Sequence, residues 1–149
     1  MLPFKKIVCP VDFSPASRHA VSQAVELAAS SGAEILLVNV VPVLPAAPSD
    51  PNFVFEVPEY ERALHADANR QLAALAAEAA TEGIAMRTAV GHGDAGSEIV
   101  RIAREEGADL IVIATHGMTG WRHVMFGSVA EKVVRLAGRP VLTIPALRD

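Results

Sequence analysis

The sequence predicts an α/β fold: a single doubly wound domain, with a five-stranded parallel sheet of order 3-2-1-4-5 and helices on both faces. Three observations predict it. Short runs rich in β-branched and aliphatic residues alternate with segments of helical period, which is the signature of repeated βα units. Glycine stands at the end of each helical segment, at Gly32, Gly83, Gly107 and Gly138, where a left-handed cap stops a helix. The strand runs are apolar throughout rather than alternating, as strands covered on both faces must be. The 149 residues suit one domain, spanning 1–149.

The elements follow in order. Lys6 to Val11 reads as the first strand. Ser14 caps the helix behind it, and Pro15 takes the first helical position, where its missing N–H costs nothing. Val21, Ala24, Val25 and Ala28 set that helix's inner face. Glu34 to Val41 is the second strand. A long helix from about Glu59 to Glu82 turns Leu64, Leu72, Leu75 and Ala79 inward. Ala85 to Val90 is the third strand, and a helix from about Asp94 to Glu106 presents Ile99, Ile102 and Ala103. Asp109 to Thr115 is the fourth strand. The last helix runs from Ser128 to Ala137, and Val141 to Ile144 is the fifth strand, between Pro140 and Pro145. Residues 42–58 interrupt the pattern with five prolines and the apolar group Phe53, Val54 and Phe55. They read as a loop packed on its own aromatics, or as a flap at the mouth of a site.

Composition narrows the function. The net charge is −4 with no basic cluster, which argues against nucleic acid and anionic membrane surfaces. No run approaches the roughly 18 apolar residues of a membrane span, and the first residues lack a signal-peptide pattern. Cys9 is the only cysteine and lies in an apolar strand, so it reads as a buried, inert thiol. The expectation is a protein of a reducing cytoplasm.

The chemistry concentrates after the fourth strand, in Thr-His-Gly-Met-Thr-Gly-Trp-Arg-His-Val-Met-Phe-Gly-Ser, residues 115–128. Glycines at Gly117, Gly120 and Gly127 allow backbone to approach a ligand, and the loop delivers it to a helix N-terminus, where free amides and the helix dipole favour anions. In the order 3-2-1-4-5 the winding reverses between strands one and four, and ligands of open α/β sheets bind outside the carboxyl ends there. Asp12 ends strand one on the opposite lip, as a helix cap or as a ligand contact. His116 polarises a phosphate or braces the loop. Ser128-x-x-Glu131 also has the form of a capping box. Trp121 covers the crevice, meets a partner or packs locally. His19, His65, His92 and His123 are scattered along the sequence and read as solvated.

A second glycine motif, Gly91-His92-Gly93-Asp94-Ala95-Gly96, has the spelling of a dinucleotide fingerprint. The acidic residue expected after the next strand is replaced by Thr115 and His116, so the motif reads as a turn in which Asp94 caps a helix. No metal-ligand spacing, nucleophile–base pair or Walker loop is legible, and no catalytic residue is assigned.

The chain resembles the universal stress protein family. Nucleotide-binding members carry G-2x-G-9x-G-(S/T) after the fourth strand. Here the register is Ala114-x-x-Gly117, nine residues, then Gly127-Ser128, with alanine in place of the first glycine. Ile7-Val8-Cys9-Pro10-Val11-Asp12-Phe13-Ser14 resembles the family's first strand and aspartate. Asp109 to Val112 and Pro140 to Leu142 resemble its fourth and fifth strands. The resemblance implies an adenine nucleotide, ATP or else AMP or ADP, with Mg2+ bridging phosphate oxygens and no metal held by protein residues alone. It implies that Pro10, Val11 and Asp12 meet the adenosine part, the Val40 backbone meets adenine, and Gly117 approaches ribose and phosphates beside Ala114, His116 and Gly120. Gly127, Ser128, Val129 and Ala130 would then donate to the phosphates. It further implies a homodimer through the edge strand Val141, Leu142, Thr143 and Ile144. The expected function is a stress-response or signalling module without fast catalysis. The alternatives are a nucleotide-free interaction dimer and a slow ATP hydrolase.

Overall fold

Two packed layers of apolar side chains, one on each face of a sheet, organise the molecule. The structure is a computed structural model and describes residues 2–44, 57–80, 83–117 and 126–147. The elements are β1 (Lys6–Pro10), α1 (Pro15–Ser31), β2 (Glu34–Val41), α2 (Val57–Ala79), β3 (Met86–His92), α3 (Ala95–Glu105), β4 (Leu110–Ala114), α4 (Ser128–Leu136) and β5 (Val141–Ile144). The sheet has the expected order β3-β2-β1-β4-β5, and every pairing is parallel.

Alternation along the strands assigns each residue to a layer. Ile7, Cys9, Ile35, Leu37, Leu110 and Val112 point to the side covered by α1 and α2. There they meet Ala20, Val21, Ala24, Leu72 and Leu75. Val8, Leu36, Val38, Ile111 and Ile113 point to the other side, against Ile99, Ala103, Ala130 and Val133 of α3 and α4. Burial on both faces explains the unbroken apolar runs. Cys9 is completely buried, and burial pushes its thiol up to about 12, so it stays protonated and inert.

Local signals placed most boundaries. Ser14 caps α1 by accepting from the Ser17 amide at 3.1 Å, Pro15 opens the helix, and Gly32 ends it at φ 75°. Asp94 caps α3 by accepting from the Ser97 amide at 3.0 Å.

Several expectations change, β4 among them, which is one residue shorter at each end than the run 109–115. Helix α2 begins at Val57, so Pro58 belongs to its first turn, where proline is tolerated, and it ends at Ala79. β1 stops at Pro10. β3 continues through Gly91 and His92, which pair with Val40 and Val41. The expected capping box does not form: Gly127 is the N-cap of α4 and provides no side-chain cap, Ser128 is the first helical residue, and Glu131 bonds Arg135 at 3.0 Å. Most of the proline-rich stretch 42–58 lies outside the described residues.

The second glycine motif is resolved as packing. Gly93 has φ 105°, which an L side chain rarely adopts. A Cβ at Gly96 would lie 2.8 Å from Lys132 Cδ, so the missing side chain lets α4 approach α3. Lys132 Nζ then reaches Asp94 Oδ2 at 2.8 Å and, with the Ser97 amide, holds that carboxyl well below the usual carboxylate range.

Candidate functional site

The loops that leave β1 and β4 diverge, because α1 packs on one face of the sheet and α4 on the other. The crevice between them encloses about 270 Å³ at the carboxyl edge. Pro10, Val11 and Asp12 form one lip. Ala114, His116 and Gly117 form the other. Gly127, Ser128, Val129 and Ala130 make one end wall, and Val40 lies at the end of β2. The structure thus brings together every site residue expected from sequence except Gly120, which lies outside the described residues, as do Trp121 and His123.

A tight turn orients Asp12. Its Oδ1 accepts from the Ser14 amide at 3.0 Å, and its own amide donates to Ser17 Oγ at 3.3 Å. Phe13, between them, is held at φ 65°, a conformation that costs a non-glycine residue about 1 kcal/mol or more. Asp12 therefore braces the start of α1 through Ser14, while its Oδ2 faces Gly117. Across the crevice, the Thr115 amide donates to the Ile144 carbonyl at 3.0 Å and the Thr115 carbonyl accepts from the Gly127 amide at 2.6 Å. Thr115 Oγ1 lies 3.0 Å from His116 Nδ1. The loop is closed at its base by the residue that precedes it.

The Gly127 amide is thereby engaged within the protein, which alters one expected role. Gly127 lines the crevice but directs its N–H to Thr115. The first backbone bond of α4 runs from the Glu131 amide to the Gly127 carbonyl at 3.0 Å. The amides of Ser128, Val129 and Ala130 precede it and have no acceptor inside the helix. These three carry the positive end of the dipole toward the crevice.

Ala114 is the last residue of β4, paired in register with Ile144 and almost fully buried. Its extended backbone places no demand for glycine there. The methyl group lines the wall and requires no unusual φ.

Residues not assigned to the site from sequence complete the crevice: Ser17, Val38, Asn39, Ala95, Ile99, Ile113 and Thr115. Asn39 is the most informative. It is the sole polar residue in the apolar run Ile35 to Val41, and its Nδ2 donates to the Val11 carbonyl at 2.8 Å, tying β2 to the lip that carries Asp12. That polar interruption was a legible signal. Among the described lining residues the ionisable side chains are Asp12 and His116, and none is lysine or arginine. Within the described lining, main-chain dipoles rather than cationic side chains are what an anion would meet. Among the described residues no three His, Cys, Asp or Glu side chains gather to hold a metal, and no helix is long and apolar enough to cross a membrane.

Outside the crevice, two of the histidines scattered along the sequence meet at the surface. His65 of α2 and His92 of β3 are in contact, with Nδ1 of the first 3.0 Å from Nε2 of the second. Packing of α2 on β3 joins them across 27 positions of sequence, a proximity that reading along the chain cannot show.

The family model for the universal stress protein family matches residues 3–145. Universal stress protein MJ0531 of Methanocaldococcus jannaschii is 33% identical over 141 residues, covering 95% of this chain and 82% of the relative. The solved structure of MJ0577, from the same organism, superposes with a TM-score of 0.82 at 25% identity, covering 97% of this chain and 98% of the other. A universal stress protein crystallised in complex with cAMP superposes with a TM-score of 0.60 at 26% identity, covering 95% and 96%. The fold, the register of the glycine loop and these matches agree: the chain belongs to the universal stress protein family.

Proposed function

We propose that this protein is an adenine-nucleotide-binding signalling module that works as a homodimer and does not turn its ligand over rapidly. One observation carries the reading: the amides of Ser128, Val129 and Ala130, the exposed backbone of Gly117 and the Asp12 carboxylate all border one crevice at the reversal of the sheet. The amides suit phosphate oxygens, the carboxylate suits ribose hydroxyls, and the apolar wall of Val38, Val40, Ile99 and Ile113 suits a base. The cAMP complex of a family member supports an adenine nucleotide as the ligand class.

A triphosphate brings several negative charges to a site whose described lining has no cationic side chain. Mg2+ would suit ATP as a companion held through phosphate oxygens, with the Ser128 hydroxyl lining the crevice beside them. Bound, it would offset phosphate charge. A mononucleotide needs no such ion.

Thr115 Oγ1 and His116 Nδ1, 3.0 Å apart, place a hydroxyl beside an imidazole in the crevice, but the pair belongs to the base of the loop, and a fold by itself confers no activity. The dimer would form through β5. The Pro140 and Ile144 carbonyls accept from Ile111 and Thr115, so alternation turns the main-chain groups of Val141 and Thr143 to the outer edge. Leu142, 39% exposed, adds apolar surface to that edge.

Isothermal titration with AMP, ADP and Mg-ATP tests the reading. Saturable 1:1 binding of any of them supports it, and absence of heat at millimolar nucleotide overturns it.

A further inference from the structure

We propose that His65 and His92 form a two-imidazole binding site for a divalent cation of the Cu2+, Ni2+ and Zn2+ class, and that the bound ion clasps helix α2 to the end of strand β3. The pair lies outside the nucleotide crevice and stands independently of it. The facing nitrogens, His65 Nδ1 and His92 Nε2, are 3.0 Å apart. Two ligand atoms, each 2.0–2.1 Å from one shared cation at a tetrahedral or square angle, lie roughly 2.8–3.4 Å apart. The ring planes are inclined by only 4°, and the centroids, at 5.0 Å, are farther apart than the nitrogens. The rings therefore approach nitrogen to nitrogen rather than face to face.

The backbone under both rings is fixed. Ala68, three residues beyond His65 on α2, is buried, as are Leu72 and Leu75 of the same helix. His92 is paired with Val41, and the Gly93 amide donates to the Val41 carbonyl at 2.9 Å. The spacing of the two backbones is thus set by the core. Glu98 of α3 accepts from the His92 backbone and from Arg101 Nε at 2.8 Å. Glu61 stands one helical turn before His65 on α2. Arg101 engages both Glu98 and Glu105. No third side chain among the described residues completes a closed set, so water fills the remaining positions and the site is open and exchangeable.

Imidazole nitrogen selects this class of ion over Mg2+ or Ca2+, and affinity should follow Cu2+ above Zn2+ and Ni2+. Without metal, one ring donates its N–H to the other across the same 3.0 Å. With metal, both facing nitrogens are lone-pair donors and each ring carries its proton on the remote nitrogen, His65 Nε2 and His92 Nδ1. Between two neutral rings the exchange is a change of tautomer.

The test is titration of the full, untagged chain with CuCl2, NiCl2 and ZnCl2 in a non-coordinating buffer at pH 7.5. One saturable site per chain is expected. His65→Ala and His92→Ala should each remove it, whereas His19→Ala should leave it. Both imidazoles are on the surface, and each variant's melting curve without metal checks that it folds. As a second readout, metal should raise the melting temperature of the wild type and the hydrogen-exchange protection of α2 and β3, but of neither variant. His65→Gln and His92→Gln, which keep a polar side chain, should behave like the alanine variants. Absence of saturable uptake below millimolar metal overturns the proposal, as does undiminished uptake in either single variant.

Discussion

The Asp12 carboxylate occupies the space that a side chain on residue 117 would need. A Cβ built on Gly117 overlaps Asp12 Oδ2. The glycine of one lip and the carboxylate of the other are thus complementary, although 105 positions of sequence separate them. Gly117→Ala should leave the core intact, because Gly117 is exposed, yet lower nucleotide affinity at least about tenfold by displacing the carboxylate (~1.4 kcal/mol). Asp12→Ala combined with Gly117→Ala should relieve the clash without restoring affinity. Equal affinity of Gly117→Ala and wild type in calorimetry would show that the two lips do not act on one ligand.

The wall at Gly127 is similarly close. A Cβ there would lie 3.2 Å from the Thr115 carbonyl oxygen, whose hydrogen bond from the Gly127 amide sets the start of α4. Gly127→Val should destabilise the protein by about 1–2 kcal/mol in urea denaturation and weaken nucleotide binding with it. A variant that loses stability but binds normally would remove the α4 amides from the site.

Ala114→Gly tests the departure from the glycine motif. Because Ala114 is extended and paired with Ile144, glycine adds backbone freedom without relieving strain. The expected result is about 0.5–1 kcal/mol of lost stability, with affinity changed by less than about threefold. A large gain in affinity would identify the methyl group as an obstruction.

Thr143→Pro separates the proposed dimer from the fold. The Thr143 amide points away from β4, so proline there removes a donor only from the outer edge. Sedimentation should show monomer with a near-native melting temperature. A dimer that persists would place the interface elsewhere.

Acid should loosen the opposite end of the sheet. Lys6, Glu34, Arg87 and Glu106 form a ring of alternating charge, with Lys6–Glu34 at 3.1 Å, Arg87–Glu34 at 3.4 Å, Arg87–Glu106 at 2.7 Å and Lys6–Glu106 at 3.7 Å. Lys6 chiefly lowers Glu34, Arg87 chiefly lowers Glu106, and the Lys5 and Lys6 amides lower Asp109. A carboxyl lowered in the folded state contributes stability above its unfolded value of about 4 and loses it as pH falls through the folded value. Glu106→Gln should therefore cost up to about 1 kcal/mol at pH 7, discounted for its exposure, and less by about pH 3. Urea midpoints between those pH values measure the difference. An unchanged gap at pH 3 would refute the assignment.

Much of this was legible along the chain because its causes are local. Ser14, Pro15 and Gly32 bound α1 by backbone chemistry within one turn. The apolar runs announced strands buried on two faces, and alternation of those runs with amphipathic helices left few topologies. The glycines of residues 117–127 marked where backbone would be bare. The Gly91–Gly96 motif shows the limit of spelling: its glycines answer to a turn and to Lys132, although Ala95 within it does line the crevice.

By itself the sequence determined the element order, the switch point and the lips of the crevice, since periodicity, caps and glycines act over a few residues. Only the tertiary structure decided that Gly127 rather than Ser128 caps α4, that Asn39 holds the Val11 carbonyl, that Asp12 fills the space beside Gly117, and that His65 meets His92. Each of these depends on two segments brought together by burial of the two apolar layers. Burial is non-directional and leaves no mark at either position until the chain has folded.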